Sequence, residues 1–173
     1  MGDKILVAYA TRYGSTREVA EAAGTVLRGH GVDAEVRSVK DVTALGGYAG
    51  VVLATPFYLG SMLKDATAFL ERHRAALEVV PVALVALGPT RASDDMTEAR
   101  RQLDVALTKL EWLRPVAAEM FVGKYDPVRL RPLDKLIALP PASPLHGLGA
   151  RDERDWGAIR AWADALPGAM ALA

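Results

Sequence analysis

Cysteine is absent from this chain of 173 residues. Its absence excludes disulfide bonds, a thiolate nucleophile, and zinc or iron–sulfur centres that need cysteine ligands. The spacing of the His, Asp and Glu residues is not typical of a metal site either, so we expect no bound metal. Any redox chemistry therefore requires a bound organic cofactor.

An excess of charge of one sign is also absent, because 21 basic and 21 acidic side chains balance. No overall field draws the protein to nucleic acid, and we expect no nucleic-acid partner. The N-terminus lacks the apolar core and small-residue cleavage site of a signal peptide, which predicts a cytoplasmic protein. The uncharged stretch 42–63 is interrupted by glycines and Pro56, so we expect a buried strand there rather than a membrane span.

Short apolar runs indicate strands. Their lengths and their content of Val, Leu and Ala are typical of strands in a parallel sheet that is covered on both faces. The segment 33–39 roughly alternates polar and apolar residues, as an edge strand does. The other four predicted strands are residues 5–10, 51–54, 82–87 and 115–122.

Apolar side chains recur at helical spacing between these strands, in residues 19–27, 66–77, 96–110 and 156–166. We expect Ser93 to cap the third helix, with Asp94 and Asp95 in its first turn, and Asp155 to begin the fourth. Strand and helix therefore alternate from end to end. This order predicts a single α/β domain over residues 1–173, with a doubly wound sheet of five parallel strands and helices on both faces.

Residues 123–154 form an insertion before the last helix, far longer than the usual connection of about 2–6 residues. Its stretch 128–139 combines basic and apolar side chains, and Pro132 suits the first position of a helix. Three interpretations are open for this stretch: contact with a membrane surface or a quinone, a flap folded onto its own domain, or a subunit contact. The protein is accordingly either a monomer or a homodimer.

The loop after the first strand is a candidate anion site, because hydroxyls and backbone N–H groups converge there with a helix N-terminus. It lacks the Gly-Lys-Ser/Thr of a P-loop and the three glycines of a dinucleotide fold, so a phosphate monoester suits it better. The alternative is that Thr16 only caps the helix and Gly14 only forms a turn. The residues of this loop are Thr11, Arg12, Tyr13, Gly14, Ser15 and Thr16.

Two further predicted loops, residues 55–62 and 88–93, leave the same edge of the predicted sheet, where ligands of such folds bind. Phe57 and Tyr58 place aromatic rings beside the phosphate loop, although either one could be ordinary packing. The third loop offers close backbone approach at Gly88 and a cation at Arg91. The predicted ring-binding residues are Thr55, Pro56, Phe57, Tyr58, Leu59 and Gly60, with Leu87, Gly88, Pro89, Thr90 and Arg91.

A phosphate loop, an aromatic rim and a glycine turn together predict a site for FMN. Of the three histidines, His73 lies on the apolar stripe of its helix and is interpreted as a packed or partly exposed residue. His146 lies in the insertion, where two interpretations are open: contact with a substrate, or a solvated loop residue. Neither is assigned a role, and the catalytic side chains stay unknown. The three loops carry Arg12 and Arg91 but no carboxylate between residues 55 and 61 or between 87 and 93.

The segment 11–16, after Ile-Leu-Val-Ala-Tyr-Ala, resembles the flavodoxin phosphate loop T-x-x-G-x-T. Residues 55–60, 69–73, 121–127 and 128–139 resemble more narrowly the menaquinone-dependent protoporphyrinogen oxidases, which are flavodoxin-like enzymes with a long insertion before the last helix. This resemblance implies strand order 2-1-3-4-5, FMN held through its phosphate by residues 11–16, and its ring held by residues 56–60 and 88–91. It implies an FMN-dependent oxidoreductase that passes electrons between an organic substrate and a quinone.

The alternative function is a flavodoxin-like electron carrier that serves a protein partner. The third loop lacks the aromatic and acidic residues that such carriers commonly place against the flavin. A phosphate-responsive receiver of the same fold would need acidic residues where this chain has Thr11 and Thr55, so we set it aside. Residues 140–154 match the oxidase family poorly, which leaves the substrate open.

Overall fold

The computed structural model describes residues 3–89, 96–143 and 145–172. Its main sheet contains five parallel strands in the order β2-β1-β3-β5-β6, with the short β4 paired to β3. The strands are β1 (Lys4–Tyr9), β2 (Asp33–Ser38), β3 (Gly50–Tyr58), β4 (Ser61–Met62), β5 (Val82–Leu87), β6 (Ala117–Phe121), β7 (Lys124–Tyr125) and β8 (Arg151–Asp152). The predicted doubly wound fold and its strand order are confirmed.

Helices cover both faces of the sheet because successive side chains of each buried strand point to opposite faces and both sets are apolar. Leu6 and Ala8 of β1 face one core cluster, whereas Ile5 and Val7 face the other. Helices α1 and α6 pack on the second face, and α2, α3 and α4 pack on the first. The helices are α1 (Ser15–Gly29), α2 (Lys64–Arg72), α3 (Arg74–Leu77), α4 (Met96–Thr108), α5 (Pro132–Ala138) and α6 (Trp156–Ala169).

Strand β3 is longer than the sequence predicts. The expectation that it ends at residue 54 and that 55–62 form a loop is wrong, because Thr55 and Pro56 continue the parallel pairing with Ala86 and Leu87. The chain then folds back, so that Phe57 opposes Met62 in an antiparallel pair with β4. Leu59 and Gly60 form the turn, with φ values of 49° and 75°.

The single helix expected over residues 66–77 is divided in two. His73 has φ −106° and ψ 13° and separates α2 from α3, while Phe69 and Leu77 on either side both reach the core. The imidazole is buried and packs on Phe69 with ring centroids 4.9 Å apart, as the packed-histidine interpretation expects. Within the described residues, no helix has the length and apolar character needed to cross a bilayer.

The insertion is folded, and its two ends are joined by the antiparallel pair β7–β8. Pro132 is the first residue of α5, as predicted. Asp155 caps α6 as predicted, because its Oδ1 accepts from the Ala158 N–H at 2.9 Å. The predicted cap at Ser93 and the first-turn acids Asp94 and Asp95 lie outside the described residues.

Arg154 fastens the end of the insertion to the start of α1. Its side chain is only 2% exposed and lies over the Trp156 ring, 4.6 Å from the centroid. The guanidinium donates to the Ser15 carbonyl at 3.0 Å, to Glu18 Oε2 at 2.6 Å and to both carboxylate oxygens of Asp152. These bonds hold the insertion and the helix N-terminus in one arrangement.

We predict that Arg154→Met lowers the free energy of unfolding by about 1–3 kcal/mol, because it removes charge-assisted hydrogen bonds while its partners stay partly hydrated. Urea denaturation measures the change. The matched control is Arg160→Met, since Arg160 lies over the same Trp156 ring at 6.0 Å on the exposed side, and it should cost less than about 0.5 kcal/mol. Equal effects of the two substitutions would contradict the role given to Arg154.

The ion pair between Arg154 and Asp152 predicts that the stability of the protein depends on pH. The hydrogen bonds from Arg154 lower the pKa of Asp152 below its ordinary value, so the stabilisation is present above the unfolded pKa near 4 and is lost as the pH falls through the lower folded value. The stability difference between wild type and Arg154→Met should therefore be constant above about pH 5 and shrink below about pH 4. A difference that grows on acidification would contradict this assignment.

Candidate functional site

A cavity of about 690 Å³ lies at the carboxyl ends of β1, β3 and β5, beneath the insertion. Its volume is within the range of small-molecule sites. Eight of the predicted cofactor residues line it: Arg12, Tyr13, Ser15, Phe57, Tyr58, Leu59, Gly88 and Pro89. The sheet edge and the insertion therefore form one site.

The loop 11–16 leaves the start of α1 without a side-chain cap. Gly14, at φ 91°, occupies the N-cap position, and its N–H donates to Thr11 Oγ1 at 2.9 Å. The Thr16 hydroxyl is buried and has no hydrogen-bond partner among the described residues. Thr16 is the second residue of α1 and therefore does not cap it, and it does not line the cavity. Its hydroxyl and the uncapped N–H groups of this helix start are donors that suit an anion.

A carboxylate from the insertion reaches this loop. Asp134 of α5 forms an ion pair with Arg12 at 2.8 Å and accepts a hydrogen bond from the Tyr13 hydroxyl. That hydroxyl in turn accepts from the Arg131 N–H at 3.3 Å. Burial, together with the hydrogen bond to Asp134, raises the pKa of Tyr13, so the phenol stays protonated and α5 stays tied to the loop.

The hairpin after β3 separates the two predicted aromatic residues. Phe57 is 5% exposed and belongs to the core, so for this residue the packing interpretation is correct, although its edge contributes to the cavity wall. Tyr58 is 45% exposed within the concave wall. The limited hydration there and the nearby Tyr13 raise the pKa of the Tyr58 phenol, which remains neutral as one side of the cavity.

Position 88 requires glycine because a side chain would collide with Met120 in the core, and the residue also lines the cavity. A Cβ there would lie 2.7 Å from Met120 Sδ, and the Gly88 N–H donates to the Phe121 carbonyl at 2.9 Å. Thr55 and Leu87 are buried in the sheet and do not line the cavity; the Thr55 hydroxyl donates to the Pro56 carbonyl at 3.0 Å. Thr90 and Arg91 lie outside the described residues.

The insertion supplies wall residues that the sequence reasoning missed. Asp126 and Asp134 bring two carboxylates into the site, where the three predicted loops alone carry none. Asp134 is the only acidic residue between 127 and 151, and that isolation within a basic-apolar stretch is the signal that could have singled it out. No group of three His, Asp or Glu side chains within the described parts of the chain is arranged to hold a metal.

A family model described as a flavodoxin domain matches residues 6–138 of the chain. The chain belongs to the flavodoxin domain family. A flavodoxin from the domain Archaea superposes on 97% of this chain and 99% of its own, with a TM-score of 0.59 and 16% identity. A cysteine-to-serine mutant of a flavodoxin from Pseudomonas aeruginosa gives the same coverage with a TM-score of 0.57 and 15% identity.

An oxidoreductase contains the same fold as one part of a longer chain. Rubredoxin oxygen:oxidoreductase from Desulfovibrio gigas is covered over 36% of its length by 97% of this flavodoxin-domain chain, with a TM-score of 0.57 and 13% identity. No curated protein sequence matches the chain. The fold is thus found both in separate flavodoxins and within a larger oxidoreductase.

FMN is the cofactor implied by this fold, and the residues present fit it. The unpartnered Thr16 hydroxyl and the uncapped N-terminus of α1 suit a phosphate dianion. The cavity beyond them has the size and the aromatic wall that a planar ring requires. Residues 14–16 and Arg12 would hold the phosphate, and Tyr58 and Pro89 would contact the ring.

We predict that Thr16→Val weakens FMN binding about tenfold or more, because it removes a hydrogen bond to a charged group. Riboflavin, which has no phosphate, should bind wild type far more weakly than FMN does and should be unaffected by the substitution. Titration of flavin fluorescence measures both affinities. The control is Thr25→Val on the exposed face of the same helix, where the hydroxyl donates only to the Glu21 carbonyl. Equal affinity of wild type for FMN and riboflavin would contradict the placement of the phosphate.

We also predict that Asp134→Asn tightens FMN binding by about two- to fivefold, because the carboxylate no longer competes with the phosphate for Arg12 in this partly hydrated site. Riboflavin binding should not change. The control is Asp126→Asn. Asp126 also lines the cavity, but its ion-pair partner is Arg129 rather than Arg12, at the longer distance of 3.9 Å. Weaker FMN binding by Asp134→Asn would show that Asp134 holds the loop in its binding conformation instead.

Proposed function

We propose that the protein is an FMN-dependent oxidoreductase that passes electrons between a small organic substrate and a quinone. The observation that carries this proposal is the insertion lying over the cofactor cavity. An electron carrier needs a flavin edge that a protein partner can approach, whereas here half of the residues that line the cavity belong to the insertion. Enclosed space next to a redox cofactor suits a small substrate.

The walls of this space indicate the class of substrate. The insertion contributes apolar side chains, Leu130, Ile137, Leu145 and Leu148, together with the cations Lys124 and Arg129. An apolar molecule that carries carboxylates matches this combination. A carboxylated tetrapyrrole such as protoporphyrinogen has this chemistry, which supports the narrower resemblance to the menaquinone-dependent protoporphyrinogen oxidases.

The charges around the cavity also favour an enzyme over an acidic carrier. Three cations, Arg12, Lys124 and Arg129, and two carboxylates, Asp126 and Asp134, line it. Each carboxylate lies near an arginine. Positive charge beside a flavin favours the fully reduced anion and two-electron chemistry.

Bound FMN supplies the redox centre, and the protein's residues bind and enclose it. The loop 11–16 orients the cofactor through its phosphate. Helix α5, with Ser143, Leu145 and Leu148, forms a wall of the cavity that limits the access of water. Lys124 and Arg129 orient an anionic substrate, and the neutral Tyr58 forms part of the wall. No side chain is assigned a proton transfer, so the catalytic residues stay unassigned.

The second candidate is an electron carrier. It is favoured by the superposition on an archaeal flavodoxin over 99% of that chain, which shows that the fold here has the size of a separate flavodoxin. In that function the insertion would be a docking surface for a protein partner, and the cavity would hold no substrate.

We predict that the FMN-loaded protein oxidises protoporphyrinogen with a soluble menaquinone analogue as acceptor, followed by porphyrin fluorescence. Arg129→Gln should raise KM about five- to tenfold or more, because it removes a hydrogen-bonded ion pair to a substrate carboxylate. The control is Arg114→Gln on an exposed loop away from the cavity, which should leave KM unchanged. FMN affinity is measured for each variant.

A carrier gives a different result in the same preparation. It shows no turnover of the tetrapyrrole, and stepwise anaerobic reduction proceeds in two resolved one-electron stages. The proposed enzyme should instead be reduced in one two-electron transition. Absence of turnover together with two resolved stages would replace the oxidoreductase by the carrier.

A further inference from the structure

Exposed apolar side chains are concentrated on the insertion. Ten large hydrophobic residues are exposed in the described part of the chain, and five of them lie between residues 128 and 139. They are Val128 (81% exposed), Leu133 (73%), Leu136 (60%), Ile137 (63%) and Leu139 (64%). Such a group on one short segment marks an interaction surface rather than scattered surface residues.

Asp134 determines which way this segment faces. Its carboxylate points inward to Arg12 and Tyr13, so the opposite side of α5 faces outward. Leu133, Leu136 and Leu139 recur at intervals of three residues on that opposite side, and the Leu139 N–H still donates to the Lys135 carbonyl at 3.1 Å. We name Leu133, Leu136 and Leu139 the outer apolar face.

The charges beside the outer apolar face are positive. Arg131 and Lys135 are exposed, and neither has an ion-pair partner among the described residues. Asp134 is the only acid between residues 127 and 151, and it is paired with Arg12 on the inner side. Within residues 127–151, an anionic partner therefore meets cations and apolar side chains, because the one carboxylate of this segment is turned to the inner side.

We propose that the outer apolar face docks on the surface of an anionic lipid membrane. Apolar side chains flanked by Lys and Arg on a short helix are suited to the boundary between head groups and acyl chains. A helix of 7 residues buries little area, so the contact is reversible and sensitive to salt. The overall balance of charge does not oppose it, because the cations are local.

Docking in this orientation bears on the cofactor site. Ile137 both lines the cavity and is 63% exposed, next to Leu136 of the outer apolar face. The cavity rim therefore lies beside the docked surface, where a lipid-soluble quinone could enter. This consequence rests on the proposed function, whereas the docking itself does not.

The full-length protein, with and without FMN, is sedimented with vesicles of phosphatidylglycerol or of phosphatidylcholine at low and high salt. We expect a partition coefficient about tenfold or more higher for phosphatidylglycerol, reduced by salt. Leu133→Ser/Leu136→Ser should lower it about tenfold, and Arg131→Gln/Lys135→Gln should lower it on phosphatidylglycerol only.

The matched controls place the same changes on other surfaces. Val79→Ser and Val105→Ser alter side chains that are 80% and 45% exposed, and Lys109→Gln removes an exposed cation; none should change the partition coefficient. Circular dichroism confirms that each variant folds. FMN affinity is measured separately, so a failure of cofactor binding contradicts the proposed function alone.

Three results would overturn the docking proposal. The first is equal binding to both kinds of vesicle, or binding that the leucine substitutions leave unchanged. The second is a concentration-dependent dimer, abolished by Leu133→Ser/Leu136→Ser, in a protein that binds no vesicles, which would assign the face to a second copy of the chain. The third is binding to an acidic polypeptide such as polyglutamate but not to lipid.

Discussion

The first turn of α1 begins without a side-chain cap, and this constraint shapes the site around it. Backbone N–H groups at a helix start must find acceptors, and the turn at Gly14 aims them outward from the sheet edge. The buried Thr16 hydroxyl adds a donor without a partner among the described residues. A phosphate bound there would accept from these donors, so we expect cofactor binding to stabilise the loop.

The insertion uses the same loop as its anchoring point. Within the insertion, Asp134 forms an ion pair with Arg12 and accepts a hydrogen bond from Tyr13. At the C-terminal end of the insertion, Arg154 donates to the Ser15 carbonyl and pairs with Glu18. The enclosed cavity and the outward face of α5 both follow from these two attachments. The Asp134 carboxylate thus has two effects: it attaches α5 over the cofactor site, and it turns the one negative charge of residues 127–151 away from the outer apolar face.

The strands of the sheet and the turn before α1 were predictable because their signals are local, whereas the strand order followed from the resemblance to flavodoxins. A buried strand shows as a run of apolar residues, and Gly14 and Thr16 are close in sequence to the helix they begin. The extension of β3 through Pro56 was missed because it depends on the exit of β5 beside it. The role of Asp134 was missed for a similar reason: its partner lies 121 residues away, and a seven-residue helix does not reveal from its sequence which side meets the domain.

The pairing of β7 with β8 makes the insertion a closed loop on a stem. Lys124 opposes Asp152 and Tyr125 opposes Arg151, so the chain between them leaves and returns at one place on the domain. The entropy of closing such a loop rises only slowly with its length. Insertions or deletions within residues 140–149 therefore cost little free energy and leave the stem and the flavodoxin sheet unchanged. The lining of the cavity can therefore diverge in this segment independently of the loop 11–16, which belongs to the sheet edge.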